Sequence, residues 1–227
     1  MKPQVVGWEL GKRIPGNVIV TSDSGTITTW WARHVPALRG QKHSCSGNLA
    51  TMACGLPYAI AAAVAYPDRP IYCIIGDGGL GMLLGELITV AAYKLNIKIV
   101  VIKNNTLGQI KWEQMVFLGN PEYACDLHPA DFVTIARGAG LNAIQIEDPT
   151  TCGQQLDSVV SLGQSSLRRL SINSHRLCRQ RSRHPRLSNS QKPWCEVNPI
   201  AWRSRSQMRT MRCVNLYSAD SREPSCA

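Results

Sequence analysis

The chain has 227 residues, 44% of them apolar, which suffices for a sizeable core and excludes wholesale disorder. Its formal charge of +10 invites a nucleic-acid or membrane-surface reading, but the whole excess lies after residue 160: the last 67 residues hold thirteen basic side chains against Glu196, Asp220 and Glu223, whereas the first 160 hold twelve of each sign. The nine cysteines form no C-x-x-C pair, which excludes the zinc-ribbon and thioredoxin signatures, and without a secretory leader pattern at the start they predict a reducing, cytoplasmic compartment.

In chain order, residues 3–13 suit a short helix, with Pro3 tolerable in its first turn. Residues 17–21 read as a buried strand running into a polar glycine turn. Residues 29–34 are mixed, and residues 40–48 form a polar loop. Residues 49–66 carry no charge, yet their alanine content, Gly55, Pro57 and the following Pro67-Asp68 turn point to a buried core helix rather than a membrane span. Residues 70–75 (PIYCII) are a short β-branched run of the kind found in central parallel strands. The sequence GDGG follows at residues 76–79. Residues 80–95 have helical periodicity, with Leu83, Leu84, Leu87, Ile88 and Ala91 on one face. Residues 97–102 (IKIVVI) are a second β-branched run, ending in Lys103-Asn104-Asn105.

Residues 108–117 are helical or loop-like. Residues 129–139 form an amphipathic helix with an aspartate in its first turn, residues 141–146 a strand and residues 149–160 a helix. The alternation predicts an α/β fold, a doubly wound and mostly parallel sheet with helices on both faces, to about residue 160. After Leu162 the periodic pattern stops. The domain would next want an apolar strand, and none is there. Residues 163–227 read as an Arg/Ser-rich, irregular basic tail, disordered or aberrant, with nucleic-acid binding as its alternative use.

Strand, helix and strand within about 35 residues make a βαβ unit. Asp77 and the Asn104-Asn105 pair then lie at the carboxyl ends of its two strands, the edge where open α/β sheets bind ligands. Glycines allow close backbone approach, and a helix start favours a phosphate. A carboxylate beside a phosphate requires a cation between them. Asp77, an asparagine amide oxygen and a backbone carbonyl are the hard oxygen donors that Mg2+ prefers.

GDG and NN with 25 residues between Gly78 and Asn104 resemble the thiamine-diphosphate fingerprint. The resemblance runs from Met1 to about Leu162 and takes in DSGT at residues 23–26, NLATMACGLPYAIAAAVAYPDR at residues 48–69 and NNTLGQIKWEQ at residues 104–114. Together these resemble the C-terminal, diphosphate-binding (PP) domain of the pyruvate oxidase and acetolactate synthase group, which includes the quinone-linked pyruvate dehydrogenases.

The resemblance implies thiamine diphosphate and Mg2+ as cofactors. Asp77, Asn104 and the Thr106 carbonyl match the metal ligands. Gly78 and Gly79 would hold the diphosphate by backbone N–H groups, and Asn105, Leu107 and Gly108 would line the same loop. Thr51-Met52 match the motif whose bulky apolar residue wedges the cofactor into a V shape, a role that falls to Met52. Gly25 and Thr26 match the loop near the diphosphate or aminopyrimidine.

The implied activity is decarboxylation of a 2-oxo acid, with the two-carbon unit passed to a flavin or quinone; the alternatives are an acetolactate synthase-type carboligation and a PP-only subunit of a two-chain decarboxylase. The implied partner is a Pyr domain, in the same or another subunit of a homo- or hetero-oligomer, because no glutamate here matches the one that such domains supply. Glu9, Glu86 and Glu113 read as helix-surface or local residues. FAD belongs to the full-length family and has no site in this chain, and the isolated chain would not turn over.

Overall fold

The computed structural model describes residues 1–160 and 168–173. Pro3–Gly11 is helix α1, opened by a proline where no N–H is required. Strand β1 (Ile19–Ser22) is buried at every residue. Helix α2 (Thr26–His34) and the short strand β2 (Lys42–Ser44) follow. Helix α3 (Gly55–Ala65) leads to β3 (Ile71–Gly76). Two short helices, α4 (Asp77–Met82) and α5 (Glu86–Ala92), lead to β4 (Ile97–Lys103).

Helix α6 (Gly108–Trp112) runs on into a π-helical turn at Glu113–Phe117. Helix α7 (Phe132–Gly138) is capped by Asp131, whose Oδ1 accepts the N–H groups of Val133 at 3.0 Å and Thr134 at 3.1 Å. The last elements are β5 (Asn142–Ile146), α8 (Cys152–Val160) and β6 (Arg168–Asn173).

The six strands form one sheet in the order β2-β1-β3-β4-β6-β5, and every pair is parallel. Successive side chains of a strand face opposite sides of the sheet. Ile71, Cys73, Ile75, Ile97, Ile99 and Val101 accordingly pack with Leu56 and Ala59 of α3, Leu87 and Val90 of α5, and Phe132 and Ala136 of α7. Tyr72, Ile74, Val100 and Ile102 pack on the other face with Val6 and Leu10 of α1, Ile27 of α2, and Leu156 and Val159 of α8. This is the doubly wound arrangement that the alternation predicts. Because β1, β3 and β4 are parallel, the segments beginning at Asp23, Asp77 and Asn104 emerge at one edge.

Several expectations need correction. Residues 49–66 are not one helix: α3 starts at Gly55, because Ala50 and Ala53 take positive φ values of 48° and 66° that no right-handed helix accommodates, and Leu49 is exposed. Residues 80–95 are not one helix either. The helical chain starts earlier, at Asp77, and breaks between α4 and α5, so Leu83 and Ile88 are exposed while Leu80, Leu87 and Val90 are buried. Residues 29–34 belong to α2 and residues 42–44 to β2.

The strand judged absent after Leu162 is β6, inserted between β4 and β5. Its sequence, RRLSIN, is apolar only at Leu170 and Ile172, short of the continuous apolar run typical of an interior parallel strand. The rest of the proposed tail lies outside the described residues. Among the described residues, no helix is long and apolar enough to cross a membrane.

Lys98 lies inside the sheet, 8% exposed, directly across from Tyr72, with its Nζ 5.4 Å from the Tyr72 ring centroid. No carboxylate among the described residues forms an ion pair with it. Burial lowers its pKa. Between that lowered value and the ordinary lysine range the unfolded chain binds more protons than the folded one, so this group makes stability rise with pH across that window. Lys98→Met keeps the length and removes the buried charge. We expect it to raise stability at neutral pH by about 1 kcal/mol or more, roughly 2–4 °C in Tm for a domain of this size, and to remove that alkaline gain. Thermal melts against pH check both; a lower Tm for the variant contradicts them.

Candidate functional site

The site is built around one buried carboxylate. Asp77 follows directly on β3 and is 6% exposed. Its Oδ1 accepts the Gly78 N–H at 3.1 Å, and its Oδ2 accepts the N–H groups of Asn104 at 3.1 Å and Asn105 at 2.6 Å. The side chain at the end of β3 therefore ties down the turn at the end of β4. Burial pushes its carboxyl pKa up, and the amides of Asn105, Asn104 and Gly78 pull it back. No cationic side chain among the described residues forms an ion pair with it. A buried, oriented carboxylate with lone pairs to spare suits a hard divalent cation.

The remaining donors come from the turn after β4. Asn105 takes φ 55°, the left-handed conformation that asparagine tolerates, and turns the chain back on itself. The Asn104 Oδ1 accepts the Thr106 N–H at 3.1 Å, and the Thr106 carbonyl accepts the Gly108 N–H at 2.9 Å. Residues 125–127 strap this turn from outside. Leu107 N–H donates to the Cys125 carbonyl at 2.8 Å, Thr106 Oγ1 donates to the same carbonyl at 3.1 Å, and Leu127 N–H donates to the Asn105 carbonyl at 2.9 Å. The donor set is thus held by its own loop before any ligand arrives.

Opposite stand the turns after β1 and before α3. Gly25, at φ 123°, has a backbone conformation that L side chains rarely adopt, and its carbonyl accepts the Thr28 N–H at 3.1 Å. A Cβ on Gly78 would come within 3.1 Å of Met52 Cε and 3.3 Å of Leu107 Cδ2, so the Met52 thioether end packs against the first turn of α4. A Cβ on Gly79 would overlap the Asp23 carboxylate.

These segments enclose a cavity of roughly 370 Å³, within the usual range for small-molecule sites. Of the twelve residues expected at the site, ten line it. Thr51 does not: it is exposed, with its N–H on Ser46 Oγ at 3.2 Å. Asn105 does not either; it gives its N–H to Asp77, and its Oδ1 is buried with no hydrogen-bond partner among the described residues. Gly78 reaches the cavity, but its amide is engaged by Asp77 Oδ1.

Asp23, Trp30, Gln109 and Glu113 also line the cavity and were not among the expected residues. Glu113, read from sequence as a helix-surface residue, accepts from Gln109 Nε2 at 2.9 Å. The i, i+4 spacing of this pair immediately after Gly108 was the available signal.

Comparison with known proteins points to the same segments. Residues 23–167 match the family model described as thiamine pyrophosphate enzyme, C-terminal TPP binding domain. YdaP of Bacillus subtilis, named by inference as a thiamine pyrophosphate-containing protein, is 38% identical over 146 residues, 64% of this chain and 25% of that protein. The large subunits of acetolactate synthase isozymes 1 and 3 of Escherichia coli are 33% and 34% identical, each over 150 residues, covering 65% and 66% of this chain and 26% of each relative. The chain thus spans about a quarter of the length of these relatives.

Gly79 and Gly81 share α4 and separate the site's requirement from ordinary helix preference. A Cβ on Gly81 meets nothing within 4 Å. Gly81→Ala should be neutral or stabilising by up to about 1 kcal/mol, whereas Gly79→Ala should cost about 1–3 kcal/mol through the clash with Asp23. Urea unfolding of the two variants checks this; equal effects contradict the packing described.

Proposed function

The chain belongs to the thiamine pyrophosphate enzymes, as their C-terminal cofactor-binding domain, and on that premise we propose that Asp77, the Asn104 amide oxygen and the Thr106 carbonyl hold Mg2+ while the surrounding cavity holds thiamine diphosphate. The observation that carries this reading is Asp77: a buried carboxylate, fixed by three backbone amides, with no cation paired to it among the described residues. The Asn105 Oδ1 at the same turn is buried with no hydrogen-bond partner among the described residues, though it lies outside the cavity.

Gly25, Thr26, Gly78, Gly79, Leu107 and Gly108 shape the walls, and Thr51, Asn105 and Thr106 fix the turns that bear them. Met52, standing against Gly78, would be the residue that presses on the organic part of the bound cofactor. When bound, the cofactor supplies a carbon nucleophile and an electron sink for decarboxylating a 2-oxo acid. The chain's residues orient it and exclude water from one side. A Pyr domain, in the same oligomer, would close the other side and supply the missing acid. We assign the cofactor domain to residues 1–162 with β6 added to its sheet.

The acceptor of the two-carbon unit is a narrower question. A flavin or quinone, as in the pyruvate oxidase type, finds no support in the names of these relatives. The acetolactate synthases among them favour the carboligation alternative, in which a second 2-oxo acid is the acceptor.

Calorimetric titration of thiamine diphosphate with Mg2+ into the whole chain tests the site. Wild type should bind in the micromolar-to-millimolar range. Asp77→Ala, or an excess of EDTA over Mg2+, should abolish that binding. Equal heats from wild type and Asp77→Ala would sink the proposal.

A further inference from the structure

Asp23 is 1% exposed and lies on the wall of the cavity, yet nothing in the metal or glycine pattern requires it. Its backbone is fixed to β3, with Asp23 N–H on the Ile74 carbonyl at 3.1 Å. It follows β1 on the face that carries α3, as Thr21 does, whose Oγ1 donates to the Gly55 carbonyl at 2.8 Å.

Helix α3 begins there without a cap of its own. Cys54 occupies the capping position and makes no side-chain cap bond, while the first-turn amides of a helix have no acceptor within it. The Asp23 carboxylate stands beside this entry: the Cβ position on Gly79 that its Oδ2 fills lies 3.4 Å from the Ala53 nitrogen. Burial raises its pKa, and the backbone amides of Ala53, Gly55 and Ser24 pull it back. Oδ2 also occupies the space that a Cβ on Gly79 would need, and Oδ1 is buried with no hydrogen-bond partner among the described residues. One carboxylate therefore touches both the entry to α3 and the first turn of α4.

Met52 hangs between those two contacts, in a turn bounded by Ala50 and Ala53, both at positive φ. Such conformations persist where neighbouring groups over-determine them. We infer that Asp23 is the positioning residue for Met52: its buried carboxylate, wedged between Gly79 and the Ala53 backbone at the entry to α3, fixes where the Met52 side chain stands against Gly78. This rests on the cofactor site proposed above. Asp23 acts through Met52, so its loss should be felt by the organic part of the cofactor more than by the diphosphate and its metal.

The test is calorimetry on the full chain with two probes in Mg2+ buffer, thiamine diphosphate and inorganic diphosphate. Asp23→Ala should weaken thiamine diphosphate by about 10- to 100-fold, the range seen when outer-shell support is removed, and inorganic diphosphate by less than about threefold. Met52→Ala should show the same selectivity, and the double variant should lose little beyond either single one, the non-additivity expected of residues acting as one unit. Should Asp23→Ala not fold, Asp23→Asn, which trades one acceptor for a donor facing the amides, is read by the same two ratios. Equal weakening of both probes, unchanged affinities, or additive losses in the double variant would overturn the role given to Asp23. Failure of wild type to bind either probe would instead overturn the cofactor site.

Discussion

The carboxylate of Asp77 joins two strand ends that would otherwise be independent. Parallel strands place their carboxyl ends side by side, but nothing in the ladder fixes the turns beyond them. By accepting the amides of Asn104 and Asn105, the side chain at the end of β3 sets the path of the chain leaving β4. Asn104, Thr106 and Leu107 then have their places determined, and residues 125–127 lock the same turn from outside. The arrangement has an electrostatic cost, because a carboxylate is buried with no cationic side chain paired to it among the described residues. A divalent ion would offset that cost, which is why the turn and the ion belong to one account.

The rest of the fold serves this edge. Two apolar layers, one on each face, hold β1, β3 and β4 rigidly parallel. Their three following turns carry Asp23, Asp77 and Asn104 toward a common cavity. The second buried carboxylate, Asp23, works in the other direction: it stands between Gly79 and the entry to α3 rather than tying two strand ends. The two acids thus organise the two sides between which Met52 stands.

Much of this was legible in the chain. The β-branched runs at residues 70–75 and 97–102 read as interior parallel strands, and GDGG and Asn104-Asn105 mark their ends. What could not be read has physical causes. Ala50 and Ala53 have the propensity of helix formers, so their left-handed conformations, forced by the turn that bears Met52, left no local signal. Strand β6 has four polar residues of six although it lies between β4 and β5. Asp23 was visible as a letter in DSGT, but its contacts lie across the fold, at residues 53–55 and 79, and no local spacing reveals them.

The central claim is that Asp77 and the Asn104–Thr106 turn form a single cation site. Substituting Mn2+ for Mg2+ while recording amide resonances of the isotopically labelled chain with thiamine diphosphate present tests it directly, because the paramagnetic ion broadens nearby amides first. Gly78, Asn104, Asn105 and Thr106 should broaden at the lowest Mn2+ levels, and Asp77→Ala should abolish this order. Broadening that begins instead at exposed surface acids such as Asp148, or that leaves these four amides untouched, would contradict it.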